Sequence, residues 1–144
     1  MPVSVEITDE EINRALLRLS TRIQNLKPVF DQFGPYLLGR IRGYFQNETE
    51  PDGTPWTPLS PRYKARKRQE GRDRGIGRYT LSMLNGLAYD ANGSRLLVGS
   101  RETYAPAFQF GVPARNQPAR PFLGVTDADR QELSELIGKY LTDQ

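Results

Sequence analysis

The chain has 144 residues, a net charge of +3, 37% apolar residues and a mean hydropathy of −0.63. It contains no His and no Cys. That excludes disulfides, thiolate nucleophiles, Ser-His and Cys-His catalysis and nearly all zinc chemistry; only carboxylate metal sites remain open.

Such a length fits a single domain, 1–144, with a core of its own. The modest apolar content points to an extended arm, or to surface meant for a partner. No apolar run is long enough to span a bilayer. The start, MPVSVEITDEE, lacks the basic and apolar pattern of a secretory leader, so cytoplasmic synthesis is expected.

The first helix signal begins at Thr8, with Glu11 three residues on as a capping box and Asp9 and Glu10 in the first turn. Ile12, Leu16, Leu19, Ile23 and Leu26 then recur at three- and four-residue steps, which predicts an amphipathic helix over about 9–26. Its stripe is expected to be core or helix packing. Phe30, Phe33, Leu37, Ile41, Tyr44 and Phe45 continue the helical period to about 47. Pro28 either ends the first helix or opens the second. Gly34-Pro35 is expected to kink or interrupt the stretch, and one long kinked helix is the rival to two helices.

Residues 48–61 are punctuation, with Pro51, Asp52-Gly53, Pro55, Pro58 and Pro61 around the chain's one tryptophan, Trp56. Ser60-Pro61 reads as the start of a short basic helix over about 61–69, broken by Gly71, Gly75 and Gly77. Residues 62–78 hold eight Lys or Arg and two acids, so this segment carries +6 and the remainder of the chain −3. Residues 48–78 are therefore expected to form an extended loop or arm.

Leu81, Met83, Leu84 and Leu87 suggest a short helical or extended piece. Apolar runs flank Asn92-Gly93, a strong hairpin signal, with strands expected near 86–91 and 95–100. A short helix or irregular turn over 104–110 is expected to end at Gly111, 112–118 is loop, and 119–125 is expected to be a strand or extended edge. Thr126 caps a last helix carrying Asp127 and Asp129 in its first turn, with Leu133, Leu136, Ile137, Tyr140 and Leu141 on one face. Helices around a small antiparallel sheet define an α+β fold.

Several segments together resemble a known family. Tyr44-Phe45 ends a helix and is followed by Gly53, then by Trp56-Thr57-Pro58-Leu59-Ser60-Pro61 with Tyr63 and the basic run. Val98-Gly99-Ser100 follows the hairpin, Tyr104-Ala105 leads to Gln109-Phe110-Gly111, and Ala119-Arg120-Pro121-Phe122-Leu123-Gly124 precedes the closing helix. In this order, across about 40–141, they are similar to the virion morphogenesis or tail completion proteins of Mu-like and P2-like tailed phages and prophages. Two positions depart from the family pattern: Phe108 stands where a His is frequent, and Ser82-Met83-Leu84 where Gly-x-Leu is frequent. The resemblance implies a structural virion protein, without catalysis or cofactor, that completes a tail or joins it to the filled head. It implies a ring of copies at the neck or tail end, assembled in the bacterial host cytoplasm and contacting neck, connector or tail proteins.

Each feature also has a plainer reading. Trp56 either plugs the edge of its own core or anchors a stiff arm on a neighbouring subunit. The two readings separate in Trp56→Ala, which leaves the domain folded if Trp56 is an arm anchor and molten if it is core. The basic run is either a solvated face or contacts an acidic protein surface or DNA in the channel. Phe122 reads as core, while Arg120 is a surface charge or makes a forked contact across a subunit boundary. Asp127 and Asp129 read as helix caps rather than a metal pair. The glycines at 71, 75 and 77 fit no phosphate-loop spacing. The expected partner-contact residues are Trp56, Leu59, Arg62, Tyr63, Lys64, Arg66, Lys67, Arg68 and Arg120. The alternative function is a small nucleic-acid-binding protein using the 62–78 segment.

Overall fold

The computed structural model describes residue 4 and residues 9–58 and 82–142. Among them are five α-helices and one hairpin, in the order α1 (Asp9–Gln24), α2 (Lys27–Asn47), α3 (Ser82–Asn85), β1 (Leu87–Ala91), β2 (Leu96–Ser100), α4 (Ala105–Phe110) and α5 (Asp127–Thr142). The fold is α+β. The expected helix over 61–69 lies outside the described residues, as does Thr8, the expected cap of α1.

Helix α2 is the backbone of the domain, because β1, β2 and α5 all pack on it. It buries Val29, Phe33, Gly34, Leu37, Ile41, Tyr44 and Phe45, the face set by three- and four-residue spacing. It is separate from α1, with Pro28 in its first turn, where a missing N–H costs nothing. Its end is capped by Glu48 in the left-handed conformation, whose N–H donates to the Tyr44 carbonyl.

The expected interruption at Gly34-Pro35 does not occur, and α2 runs unbroken through Pro35. The glycine of the pair has a packing role. A Cβ on Gly34 would lie 2.6 Å from the Tyr89 ring of β1, so the missing side chain lets the hairpin sit against the helix. Gly34→Ala gains about 1 kcal/mol of helix propensity. The overlap with a flat ring packed on backbone costs more, about 1–3 kcal/mol. Denaturant unfolding should therefore show a net loss of stability, and an unchanged or raised midpoint would remove this role.

The hairpin pairs antiparallel in the register Leu87 with Ser100, Tyr89 with Val98 and Ala91 with Leu96. At its tip the Asn92 side chain does what backbone does in a tighter turn. Its Oδ1 accepts from the N–H groups of Ser94 and Arg95, at 2.9 and 2.8 Å. Neither Asn92 nor Gly93 takes a positive φ, so an Asx turn forms here rather than a left-handed two-residue turn.

Segment 119–125, expected to be a strand or an extended edge, forms no strand. The Arg120 N–H donates to the Phe108 carbonyl at 2.8 Å, and the backbone that follows is held by a side chain. Gln109 Oε1 accepts from the N–H groups of Phe122 and Leu123 at 2.9 and 3.0 Å, and Gln109 Nε2 donates to the Leu123 carbonyl at 3.3 Å. One amide thus serves in place of a neighbouring strand. Gly111 ends α4 with φ 74°, and a Cβ there would meet the Ala119 backbone N at 2.7 Å, so both the turn and the closeness of segment 119–124 call for glycine.

The stripe of α1 is not core. No residue of α1 is buried, and Ile12, Leu16, Leu17, Leu19 and Ile23 are 37–66% exposed. Periodicity had marked an amphipathic helix correctly, but a period does not say what covers the apolar face. The C-terminal end of α1 is tied to the body. Arg22 Nη1 donates to the Tyr140 carbonyl of α5 at 2.7 Å, and Tyr140 Oη donates to the Asn25 carbonyl at 2.7 Å.

Candidate functional site

Residues 48–58 do not extend away from the domain. The Trp56 N–H donates to the Glu48 carbonyl and the Glu50 N–H to the Thr54 carbonyl, both at 2.8 Å. Gly53, at φ 93°, makes the reversal, and Asp52 Oδ1 accepts from the Thr54 N–H at 2.9 Å. The prolines stiffen a folded turn that delivers Trp56 inward.

Trp56 is 4% exposed. Its ring lies 5.2 Å from Phe45 and 5.2 Å from Phe108, both edge-to-face. Phe45 in turn stacks on Phe108 and tilts against Phe122, which is fully buried. Edge-to-face aromatic pairs of this kind hold more than their buried area alone. Indole Nε1 donates to the Pro121 carbonyl at 2.8 Å. Of the two readings of Trp56, the structure shows the core one, and its indole is not presented on the surface. Phe108 completes the same cluster, which accounts for an aromatic ring at the position where the resemblance would place a His.

Arg120 is likewise inside, 7% exposed, rather than at a free surface. Its Nε donates to the Thr57 carbonyl at 2.9 Å and its Nη2 to the Pro58 carbonyl at 3.4 Å. A guanidinium presents several donors in a rigid fork, and here the fork grips backbone of the same chain. Trp56 reaches across to Pro121, and Arg120 reaches back to Thr57 and Pro58. The two segments that stood out in the sequence, 56–58 and 119–124, are therefore one clasp. It holds the chain immediately before residue 59. Leu59, Arg62, Tyr63, Lys64, Arg66, Lys67 and Arg68 lie outside the described residues.

A second lock holds α5 to α2. The Thr126 hydroxyl accepts the Asp129 N–H at 3.1 Å, and Asp129 Oδ2 accepts the Thr126 N–H at 3.0 Å. This is a capping box built with Asp. The other carboxylate oxygen accepts from Tyr36 Oη and Arg40 Nε, both at 3.0 Å. Asp129 is fully buried. Burial pushes its pKa up, but the bonds from Thr126, Tyr36 and Arg40 outweigh burial and hold it below the ordinary carboxylate value. Tyr36 is pushed up, first by burial and then by donating to Asp129. The Thr126-x-x-Asp129 spacing was visible in the sequence, whereas nothing there pointed to Tyr36 or Arg40 as partners. Asp127 is exposed and pairs with Arg130 at 3.2 Å. Among the described residues no group of His, Cys, Asp or Glu is arranged to hold a metal ion, and no helix is long and apolar enough to cross a membrane.

A third surface is an open groove of about 740 Å³ along α2, lined by Phe33, Leu37 and Ile41, by Leu97 and Val98 of β2, and by Val125. Arg95 and Arg130 also line it.

These features describe a small α+β protein whose sequence motifs serve as internal clasps and whose apolar surface is left partly open. The chain belongs to the phage virion morphogenesis family, whose sequence pattern matches residues 7–142 of the 144. It is thus a protein of phage virion morphogenesis, as the resemblance implied. No curated protein and no solved structure matches it significantly.

Proposed function

We propose that this protein is a non-catalytic structural component that completes the tail or joins it to the filled head, acting as a ring of copies at the neck or tail end. Assembly takes place in the bacterial host cytoplasm. The observation that carries this reading is the clasp between 56–58 and 119–124, in a member of a virion morphogenesis family. It anchors the root of the +6 segment to the aromatic core. A charged segment held at its root reaches a neighbour from a defined point, which reduces the ordering cost of docking. Leu59, Arg62, Tyr63, Lys64, Arg66, Lys67 and Arg68 are the proposed contacts to neighbouring neck, connector or tail proteins; Trp56 and Arg120 set the place from which they start. A chain lacking His and Cys suits a role in which geometry, not bond chemistry, is the output.

Disruption of the gene in the parent phage or prophage tests this. Electron microscopy of lysates should show full heads beside separate tails, or tails with abnormal ends. Intact infectious particles would refute the joining role and leave salt-sensitive DNA binding by the basic segment as the reading to pursue.

A further inference from the structure

We infer that Asn92-Gly93, at the tip of the hairpin, is a self-modification site: the folded chain converts Asn92 to aspartate and isoaspartate, and the turn itself promotes the step. The only co-reactant is water. The Gly93 backbone nitrogen attacks Cγ of Asn92 and a C–N bond forms. The side-chain nitrogen leaves as ammonia, taking the proton of the Gly93 N–H. Water then opens the cyclic imide at either carbonyl. Opening at Cγ gives aspartate; opening at the main-chain carbonyl gives isoaspartate, in which the chain runs through the former side chain.

The turn presents each reacting group in a suitable state. Oδ1 of Asn92 accepts from the Ser94 N–H at 2.9 Å, the Arg95 N–H at 2.8 Å and the Ser94 hydroxyl at 3.2 Å. These donors polarise Cγ and stand where the negative charge of the tetrahedral intermediate gathers, as in an oxyanion hole. The nucleophile and the leaving group are unengaged: among the described residues neither the Gly93 N–H nor Asn92 Nδ2 donates a hydrogen bond. Glycine places no side chain beside the attacking nitrogen. Asn92 is exposed, so water reaches the imide. The flanking backbone is held as well. The Asn92 N–H donates to the Arg95 carbonyl at 2.9 Å, and the Gly93 carbonyl accepts from the Leu26 N–H at 2.8 Å. Groups held in place lose less freedom on reaching the transition state. Isoaspartate would add a carbon to the main chain between 92 and 93 and draw the Gly93 carbonyl away from Leu26, at the joint between α1 and α2.

The chain carries its own control, because Asn85-Gly86 is the same dipeptide. Asn85 is also exposed, at the end of α3, but among the described residues no donor reaches its side-chain oxygen. The purified full chain, incubated in neutral buffer, provides the test. Tandem mass spectrometry locates the mass gain of replacing NH2 by OH at position 85 or 92. In the folded chain Asn92 should convert about tenfold faster than Asn85, and in urea the two rates should converge. Ser94→Ala removes one donor from an exposed position; it should slow Asn92 several-fold with circular dichroism intact. An Asn85 rate equal to or above that of Asn92 in the folded chain would overturn the inference. So would an Asn92 rate that rises on unfolding, which would make the turn a protection, or an Asn92 rate unchanged by Ser94→Ala.

Discussion

Trp56→Ala is expected to destabilise the isolated domain by about 3–5 kcal/mol, the cost of deleting a large aromatic side chain from a packed core. The indole contacts Phe45 and Phe108, and its N–H donates to the Pro121 carbonyl, so the substitution opens a cavity and orphans an acceptor at once. In a domain whose total stability is of order 5–15 kcal/mol, that is a large fraction. Thermal unfolding followed by circular dichroism should move down by roughly 10 °C or more. Trp56→Phe keeps an aromatic ring and gives up the hydrogen bond and part of the volume, so its loss should be clearly smaller. A Trp56→Ala domain as stable as wild type would mean that the indole is not core in solution. Because the clasp also fixes the start of the basic segment, a failure of Trp56→Ala to assemble would report on folding first. The docking contacts are better tested at Arg62, Lys64, Arg66, Lys67 and Arg68.

Asp129→Ala should cost about 3 kcal/mol, the order expected when buried donors lose a charged acceptor. It removes the reciprocal half of the capping box, the acceptor of the Thr126 N–H, and the acceptor of the bonds from Tyr36 and Arg40. Arg40 is 40% exposed on its side chain, so solvent screens the purely electrostatic share. The substitution also predicts a change in acid sensitivity. The folded pKa of Asp129 is lowered, so its contribution is fully present above the unfolded-state value of about 4 and is lost as pH falls through the folded pKa. Wild-type stability should therefore decline below about pH 4, and Asp129→Ala should flatten that part of the curve. Parallel acid limbs in denaturant titrations of the two proteins would show that Asp129 does not govern it.

Much of the architecture was legible before any coordinates. The periodicity of Phe33, Leu37, Ile41 and Tyr44 marked α2, the runs flanking Asn92-Gly93 placed both strands within a residue, and Thr126 with Asp129 marked the start of α5. These signals are local: hydrogen bonds within a turn and side chains three or four residues apart write themselves into neighbouring positions. Family membership was legible too, but from motif resemblance rather than from periodicity.

Other features follow from which surfaces meet, and adjacent residues do not encode that. Gly34-Pro35 carries the local chemistry of a break, yet the Tyr89 ring from a distant strand makes it a packing notch. Segment 119–125 looked like a strand until the Gln109 amide supplied its hydrogen bonds. Trp56 suited an interface as well as a core, and Arg120 a surface charge or an interface; the reciprocal bonds between segments 56–58 and 119–124 place both inside. For α1 the ambiguity persists at the level of the folded chain. Its apolar period is clear, but burial needs a partner surface, and this chain leaves that face to solvent. Hydrophobic attraction has no direction of its own, so an amphipathic sequence states that a face is to be covered, and only the packing of the whole molecule and its copies decides by what.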